Sequence, residues 1–320
     1  MTADVSSTAT APYVHLRAAP GGGIKRWLLH LVLRIGARNS KIGVDDIVRL
    51  RRHNEIFDRR FGKIDPALRR TPLQAGGVTA EWIEAPESRA DRVLFYLHGG
   101  AFCLRFPRTH AAMVGRWCRR LGARALMVDY RLAPEHRYPA AVDDSVAAYR
   151  WLLSQVDGRQ VVIGGDSAGG NLALALLHRL KAEGSSLPRC AVLLSPVVDF
   201  TLSSPSLLTN GARDPMFTLA KLAAFRQLYA EPEKFLEPTL SPLFGDFKGF
   251  PPLLFQVGEI EMLRDESLRA AARAHRAEVQ VEVDVWRAMA HVFQALPLPQ
   301  ATVAEARIAA FIARNAGWTA

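Results

Sequence analysis

Apolar runs, broken only by Arg124 and Gln256, recur through the middle of the chain at residues 93–97, 124–128, 161–164, 191–194 and 253–257, each bounded by turn-forming residues. A strand covered on both faces shows no alternation, so such runs predict a parallel sheet with helices packed on both sides. Segments with apolar residues at helical spacing, such as 140–155, lie between them. This order places the chain in the α/β class with right-handed crossovers. Residues 78–85 predict an antiparallel strand at one edge. Residues 279–286 alternate apolar and polar, the mark of a strand with one solvated face, and predict an edge as well.

Two stretches break the pattern. Residues 1–75 hold helical segments and no strand, and residues 196–251 put far more chain between two strands than a crossover needs. Both are expected to form a helical cap over the carboxyl edge of the sheet. The expected division is a tail with cap helices at 1–75, a first part of the α/β core at 76–199, a cap insertion at 200–245 and a second part of the core at 246–320. In the insertion Met216, Phe217, Leu219, Leu222 and Phe225 recur at helical spacing. They are expected to pack the cap, with Met216 and Phe217 as candidates for a pocket lining. The first twenty or so residues, rich in Thr, Ala and Ser, are expected to be disordered, and they lack the basic start and apolar core of a secretion signal. Ile24, Trp27, Leu28, Leu31 and Ile35 form an apolar stripe, with Lys25, Arg26, Arg34 and Arg38 elsewhere on the helix. Packing against the cap is the expected use of that stripe and contact with a membrane surface the alternative; the apolar run is too short to span a bilayer.

Charge changes this picture little. The chain carries 41 Lys and Arg against 31 Asp and Glu, +10 in all, with arginine pairs scattered at 51–52, 59–60, 69–70 and 119–120. No nucleic-acid motif accompanies them, so a solvated surface and no nucleic-acid partner are expected. Cys103, Cys118 and Cys190 are an odd, sparse set without metal-ligand spacing. They point to a reduced, cytoplasmic setting rather than a disulfide framework, with no metal and no cofactor.

The candidate chemistry sits at the strand ends. Residues 165–169 read Gly-Asp-Ser-Ala-Gly between an apolar strand and a helical run, which is the context of a nucleophile elbow with Ser167 exposed at its tip. An earlier strand runs into His98-Gly99-Gly100-Ala101-Phe102. The backbone N–H groups of Gly99, Gly100 or Ala101, with that of Ala168, are the expected oxyanion donors. A base must follow the serine along the chain in this arrangement, which leaves His178, His275 and His291. His178 lies about three turns along the helix that Ser167 opens, too far to fold back, and His275 belongs to a polar helix face. His291 follows the last strand by a short loop and is the expected base. The acid is expected after the strand at 252–258, where Glu259, Glu261 and Asp265 all stand, with Asp199 as an outside candidate; spacing alone does not choose among them.

Together, residues 97–102, Asp129-Tyr130-Arg131-Leu132-Ala133-Pro134-Glu135, residues 165–171 and Ala290-His291-Val292-Phe293 resemble the bacterial hormone-sensitive-lipase-like esterases of the α/β-hydrolase superfamily, over roughly residues 75 to 316. The resemblance implies that the acid precedes the Asp of Leu263-Arg264-Asp265 by four residues, which puts Glu261 in the role. It implies a helical cap, hydrolysis of small, fairly apolar esters of short to medium acyl chain through an acyl-enzyme, and a possible homodimer through the last strand. A lactone hydrolase or small-molecule deacetylase using the same three residues is the alternative, and a non-catalytic ligand-binding protein a remote one.

Overall fold

The computed structural model describes residues 11–38 and 42–318. In chain order they form β1 (Val14–Arg17), α1 (Gly23–Leu33) with a π-helical extension (Arg34–Arg38), α2 (Val44–Phe61), β2 (Arg69–Ala75), β3 (Val78–Glu84), β4 (Arg89–Leu97), α3 (Pro107–Leu121), β5 (Ala123–Val128), α4 (Ala140–Gln155), β6 (Val161–Asp166), α5 (Ala168–Ala182), β7 (Ala191–Leu194), α6 (Leu219–Tyr229), β8 (Leu253–Gly258), α7 (Arg264–Arg276), β9 (Val281–Trp286) and α8 (Pro299–Ala316). These strands join one sheet in the order β1-β9-β8-β7-β6-β4-β5-β3-β2. Pairing is parallel from β1 through to β5, and antiparallel for β5 with β3 and β3 with β2. Parallel strands present their carboxyl ends on one edge, so the loops after β4, β6, β7, β8 and β9 gather there.

The central strands are buried on both faces, as their apolar runs require. Along β4, Val93, Phe95 and Leu97 enter a core shared with α4, α5 and α7. Leu94 and Tyr96 enter a second core shared with α3 and α8. Alternation thus distributes one strand between two layers.

The structure corrects three expectations. Of the first twenty residues, expected to be disordered, 1–10 lie outside the described residues and Val14 to Arg17 form β1, parallel to Val283 to Trp286. Residues 1–75 are not strand-free, since β2 pairs along its whole length with β3. That strand is largely exposed and contains Pro72, which an outermost strand tolerates. Its cross-strand ion pairs, Arg69 with Glu84 and Arg70 with Glu81, take the place of apolar alternation. Lastly, β9 is no edge: β1 covers it, so the side through which two copies were expected to pair is occupied by the chain's own strand.

The segments expected to form a cap are tied to one another and to the carboxyl edge. Arg38 donates to the carbonyls of Gly211, Asp214 and Phe217, joining the end of the π-helical turn to the loop before α6. Arg51 on α2 donates to the carbonyls of Cys103 and Ala133. Asp58 accepts from the N–H groups of Arg108 and Thr109 at the start of α3.

Candidate active site

Ser167 stands between the last residue of β6 and the first of α5, at φ 53° and ψ −116°, a conformation that costs a non-glycine residue energy. Close packing holds it there: a Cβ on Gly169 would lie 1.9 Å from the Leu97 carbonyl oxygen, so only glycine lets the helix approach β4 this tightly. Ser167 opens on a cleft of about 490 Å³, mouth included, lined also by Ala101, Phe102, Phe200, Phe217, Leu222 and Phe225. Phe217, a candidate for this lining, is there; Met216 is not among the lining side chains and instead donates its N–H to Asp214.

His291 and Glu261 are brought together from the loops after β9 and β8. The imidazole Nδ1 lies 2.8 Å from Glu261 Oε2, with both side chains buried. Phe217 meets the His291 ring edge-on at 5.0 Å, so the histidine borders the side chain that helps line the serine's cleft. Burial alone would lower the pKa of His291, but the hydrogen bond and charge of Glu261, helped by Asp214 and Asp166, outweigh it and raise it above the usual value. The other oxygen of Glu261 accepts from the hydroxyl of Ser195, 2.8 Å away, and from the N–H of Gly258.

The remaining acids have other partners. Glu259 accepts from the Ala288 N–H, Asp265 pairs with Arg264, and Asp199 pairs with Arg269 and with Thr201 and Ser203. The two other candidate histidines are equally occupied. His178 lies 3.4 Å from the Pro242 carbonyl, burial pushing its pKa down to about 4, and His275 packs against Tyr13 with the rings tilted by 36°.

The expected oxyanion loop follows β4 in a strained conformation, with positive φ at Gly100, Ala101 and Phe102. One of its expected donors is corrected: the N–H of Gly99 is turned away onto Asp166 Oδ1, at 3.0 Å. Gly100, Ala101 and Ala168 remain as candidates. Asp166 is a residue the sequence reading passed over, although it stands inside the Gly-Asp-Ser-Ala-Gly motif. Besides Gly99 it accepts from the Tyr96 hydroxyl at 2.8 Å and faces His110 Nε2 at 3.3 Å. Burial disfavours charge on both partners, yet their mutual attraction and the other hydrogen bonds keep the Asp166 carboxyl below, and the His110 imidazole above, their ordinary values. His98 stacks on Tyr130 and bonds the Gly99 carbonyl, its pKa lowered to about 4 by burial and by the neighbouring His110. Asp166 therefore acts as a positioning residue, clamping the first residue of the loop to the elbow. Asp166→Ala, which leaves the Gly99 N–H without its acceptor, is expected to lower kcat by about 100-fold, near the lower bound for losing an oxyanion donor, with KM little changed. Steady-state kinetics beside a melting curve check this; a fall in Tm without a fall in kcat would make Asp166 structural only.

Ser195 was likewise missed. It directly follows β7 at φ 46°, fully buried, on the same sheet edge as the other loops, and that position after a strand was the available signal.

A family model described as alpha/beta hydrolase fold matches residues 94–295. An esterase of Acinetobacter venetianus is 38% identical over 251 residues, covering 77% of this chain and 82% of that protein. An acetyl-hydrolase of Streptomyces hygroscopicus is 40% identical over 223 residues, covering 69% of this chain and 74% of its own. Among solved structures, an esterase from the bacterial hormone-sensitive lipase family superposes with a TM-score of 0.86 at 37% identity, covering 93% of this chain and 99% of that one.

Proposed function

This chain belongs to the α/β-hydrolase-fold family as a carboxylic-ester hydrolase of the bacterial hormone-sensitive-lipase-like kind, and on that footing we propose that it cleaves short- to medium-chain esters through Ser167, His291 and Glu261. The observation that carries the reading is the buried Glu261–His291 pair, whose imidazole meets Phe217, together with a strained serine that shares an apolar cleft with Phe217.

Ser167 Oγ attacks the ester carbonyl while His291 Nε2 takes its proton. The oxyanion that forms is held by backbone N–H groups of Gly100 or Ala101 with Ala168, at the positive end of α5. As the tetrahedral adduct collapses, the carbon–oxygen bond to the alcohol breaks and His291 hands the proton to the departing oxygen. Water then repeats the sequence on the acyl-enzyme: His291 takes a proton from the water, the acid is released and the proton returns to Ser167. Glu261 holds the imidazole with its proton on Nδ1 and stabilises the imidazolium. In this reading α1, its π-helical turn and α2 act as the cap together with 200–245: Phe200, Phe217, Leu222 and Phe225 close the cleft with apolar surface, excluding water and limiting chain length. The buried, unpaired thiols of Cys103, Cys118 and Cys190 fit the reduced, cytoplasmic setting of the proposal.

A cleft walled by the bulky side chains of Phe102, Phe200, Phe217, Leu222 and Phe225 favours short acyl groups. Initial rates on p-nitrophenyl esters from acetate to palmitate are expected to peak among the short chains and to fall by more than about tenfold at palmitate, since a side chain that does not fit loses much of its binding energy. Rates that rise steadily to palmitate would overturn the short-chain reading.

A further inference from the structure

The outer face of α1 and its π-helical turn does not suit water. Ile24, Trp27, Leu28, Leu31, Val32 and Ile35 are each 40 to 80% exposed, although an apolar stripe of this kind ordinarily turns inward. The helix is nevertheless anchored. Leu29, on its other face, packs against the cluster of Trp286, Met289, Phe293 and Leu298. Arg34 and Arg38 fasten its far end to backbone carbonyls of the 211–217 loop. It is held in place by its less apolar side with the stripe directed outward, contrary to the packing expected of it. On α2, Val48, Ile56 and Phe57 are exposed as well, at 57, 69 and 45%.

Charge gathers in the same place. Residues 21–63 contain eleven Lys and Arg against four Asp and Glu, so +7 of the chain's +10 belongs to this short segment. Two of the four arginine pairs, 51–52 and 59–60, belong to this segment and lie on α2, while 69–70 and 119–120 lie on β2 and α3. Helical spacing puts Lys25 on one border of the stripe and Arg34 on the other. A second copy of the chain could cover the apolar residues, but it would bring a second strongly positive face against the first. An anionic lipid surface satisfies both features at once.

We propose that α1 docks on an anionic lipid surface, lying in the plane of the interface with its stripe among the acyl chains and Lys25 and Arg34 at the headgroups. Among the described residues no helix is long and apolar enough to cross a membrane, so the contact is peripheral. Docking also reaches the cleft: Arg38, at the end of this element, donates to the carbonyl of Phe217, whose ring packs on His291. That link, which rests on the esterase reading, brings the cleft rim under the influence of a surface where apolar esters concentrate. The docking itself does not depend on it.

Flotation of the full chain with phosphatidylcholine vesicles, with and without phosphatidylglycerol, tests the proposal. The wild type is expected to float with the phosphatidylglycerol vesicles, and to be released as salt is raised. Trp27→Glu/Leu31→Glu is expected to stay at the bottom of the gradient. Lys25→Glu is expected to bind on the order of tenfold more weakly, since each basic side chain near such a surface contributes about fivefold and reversal removes that and adds repulsion. Turnover of a water-soluble ester is expected to be equal in all three proteins, which shows them folded. Wild type that does not float, or a wild-type dimer that Trp27→Glu/Leu31→Glu converts to a monomer while neither protein floats, would overturn the proposal. Flotation without any ester turnover would leave the docking standing and remove the esterase reading.

Discussion

Ser167→Ala is expected to lower kcat on p-nitrophenyl acetate by about a millionfold, the size seen when such a nucleophile is removed. What remains should still exceed the reaction in water, because oxyanion donors and the cleft survive the change. The substitution removes one oxygen and leaves the backbone demand unaltered: alanine tolerates φ 53° no better and no worse than serine, and the glycines that allow the turn are untouched. Melting temperature and KM should therefore stay close to the wild type while kcat collapses. A serine-directed organophosphate should add mass to the wild type and none to the variant. A variant retaining more than about a hundredth of the wild-type kcat would place the nucleophile elsewhere.

The parts of this site that could be read in advance are those held by short-range rules. A strand, a turn and a helix around Ser167 follow from apolar runs and glycine spacing, and His291 from its place after the last strand. Choices that depend on where a turn aims its side chains were not readable from spacing, and only the family resemblance singled out Glu261. Glu259 and Glu261 are two residues apart on one loop, and only the folded turn directs Glu261 to the histidine and Glu259 to the Ala288 N–H. The same holds for Gly99, whose donor points at Asp166 because of a contact between two distant loops. Among the strands, β1 has four residues and exists through its ladder with β9, while β2 is an exposed outer strand held by arginine–glutamate pairs. The alternation of Val14-His15-Leu16-Arg17 is too short to mark a strand, and β2 carries no apolar pattern. Likewise the stripe on α1 is plain in the sequence, but amphipathicity states that a face is apolar and not what it faces.

Glu261→Gln tests the acid more sharply than a truncation would, because it preserves shape and changes the distribution of hydrogens. In the wild type Oε1 accepts from the Gly258 N–H and the Ser195 hydroxyl while Oε2 faces His291 Nδ1. An amide NH₂ cannot occupy the Oε1 position, since it would meet the Gly258 N–H donor to donor. The amide oxygen is therefore driven to that side, and the NH₂ is left facing Nδ1. The imidazole must then accept at Nδ1 and carry its proton on Nε2, which is the wrong tautomer to take a proton from Ser167. The expected loss in kcat is about ten-thousandfold, as for other triads whose acid is made an amide. The pH profile supplies a readout that a damaged fold would not move. His291 works as a neutral base, so kcat/KM of the wild type should fall as pH drops through a value above the ordinary imidazole pKa, where the Glu261 hydrogen bond and charge have raised it against the effect of burial. With Glu261 neutralised, burial acts with less opposition, and the acid limb of the remaining activity should move to lower pH. A variant within about tenfold of wild type, or one with its acid limb unmoved, would mean that another carboxylate orients His291.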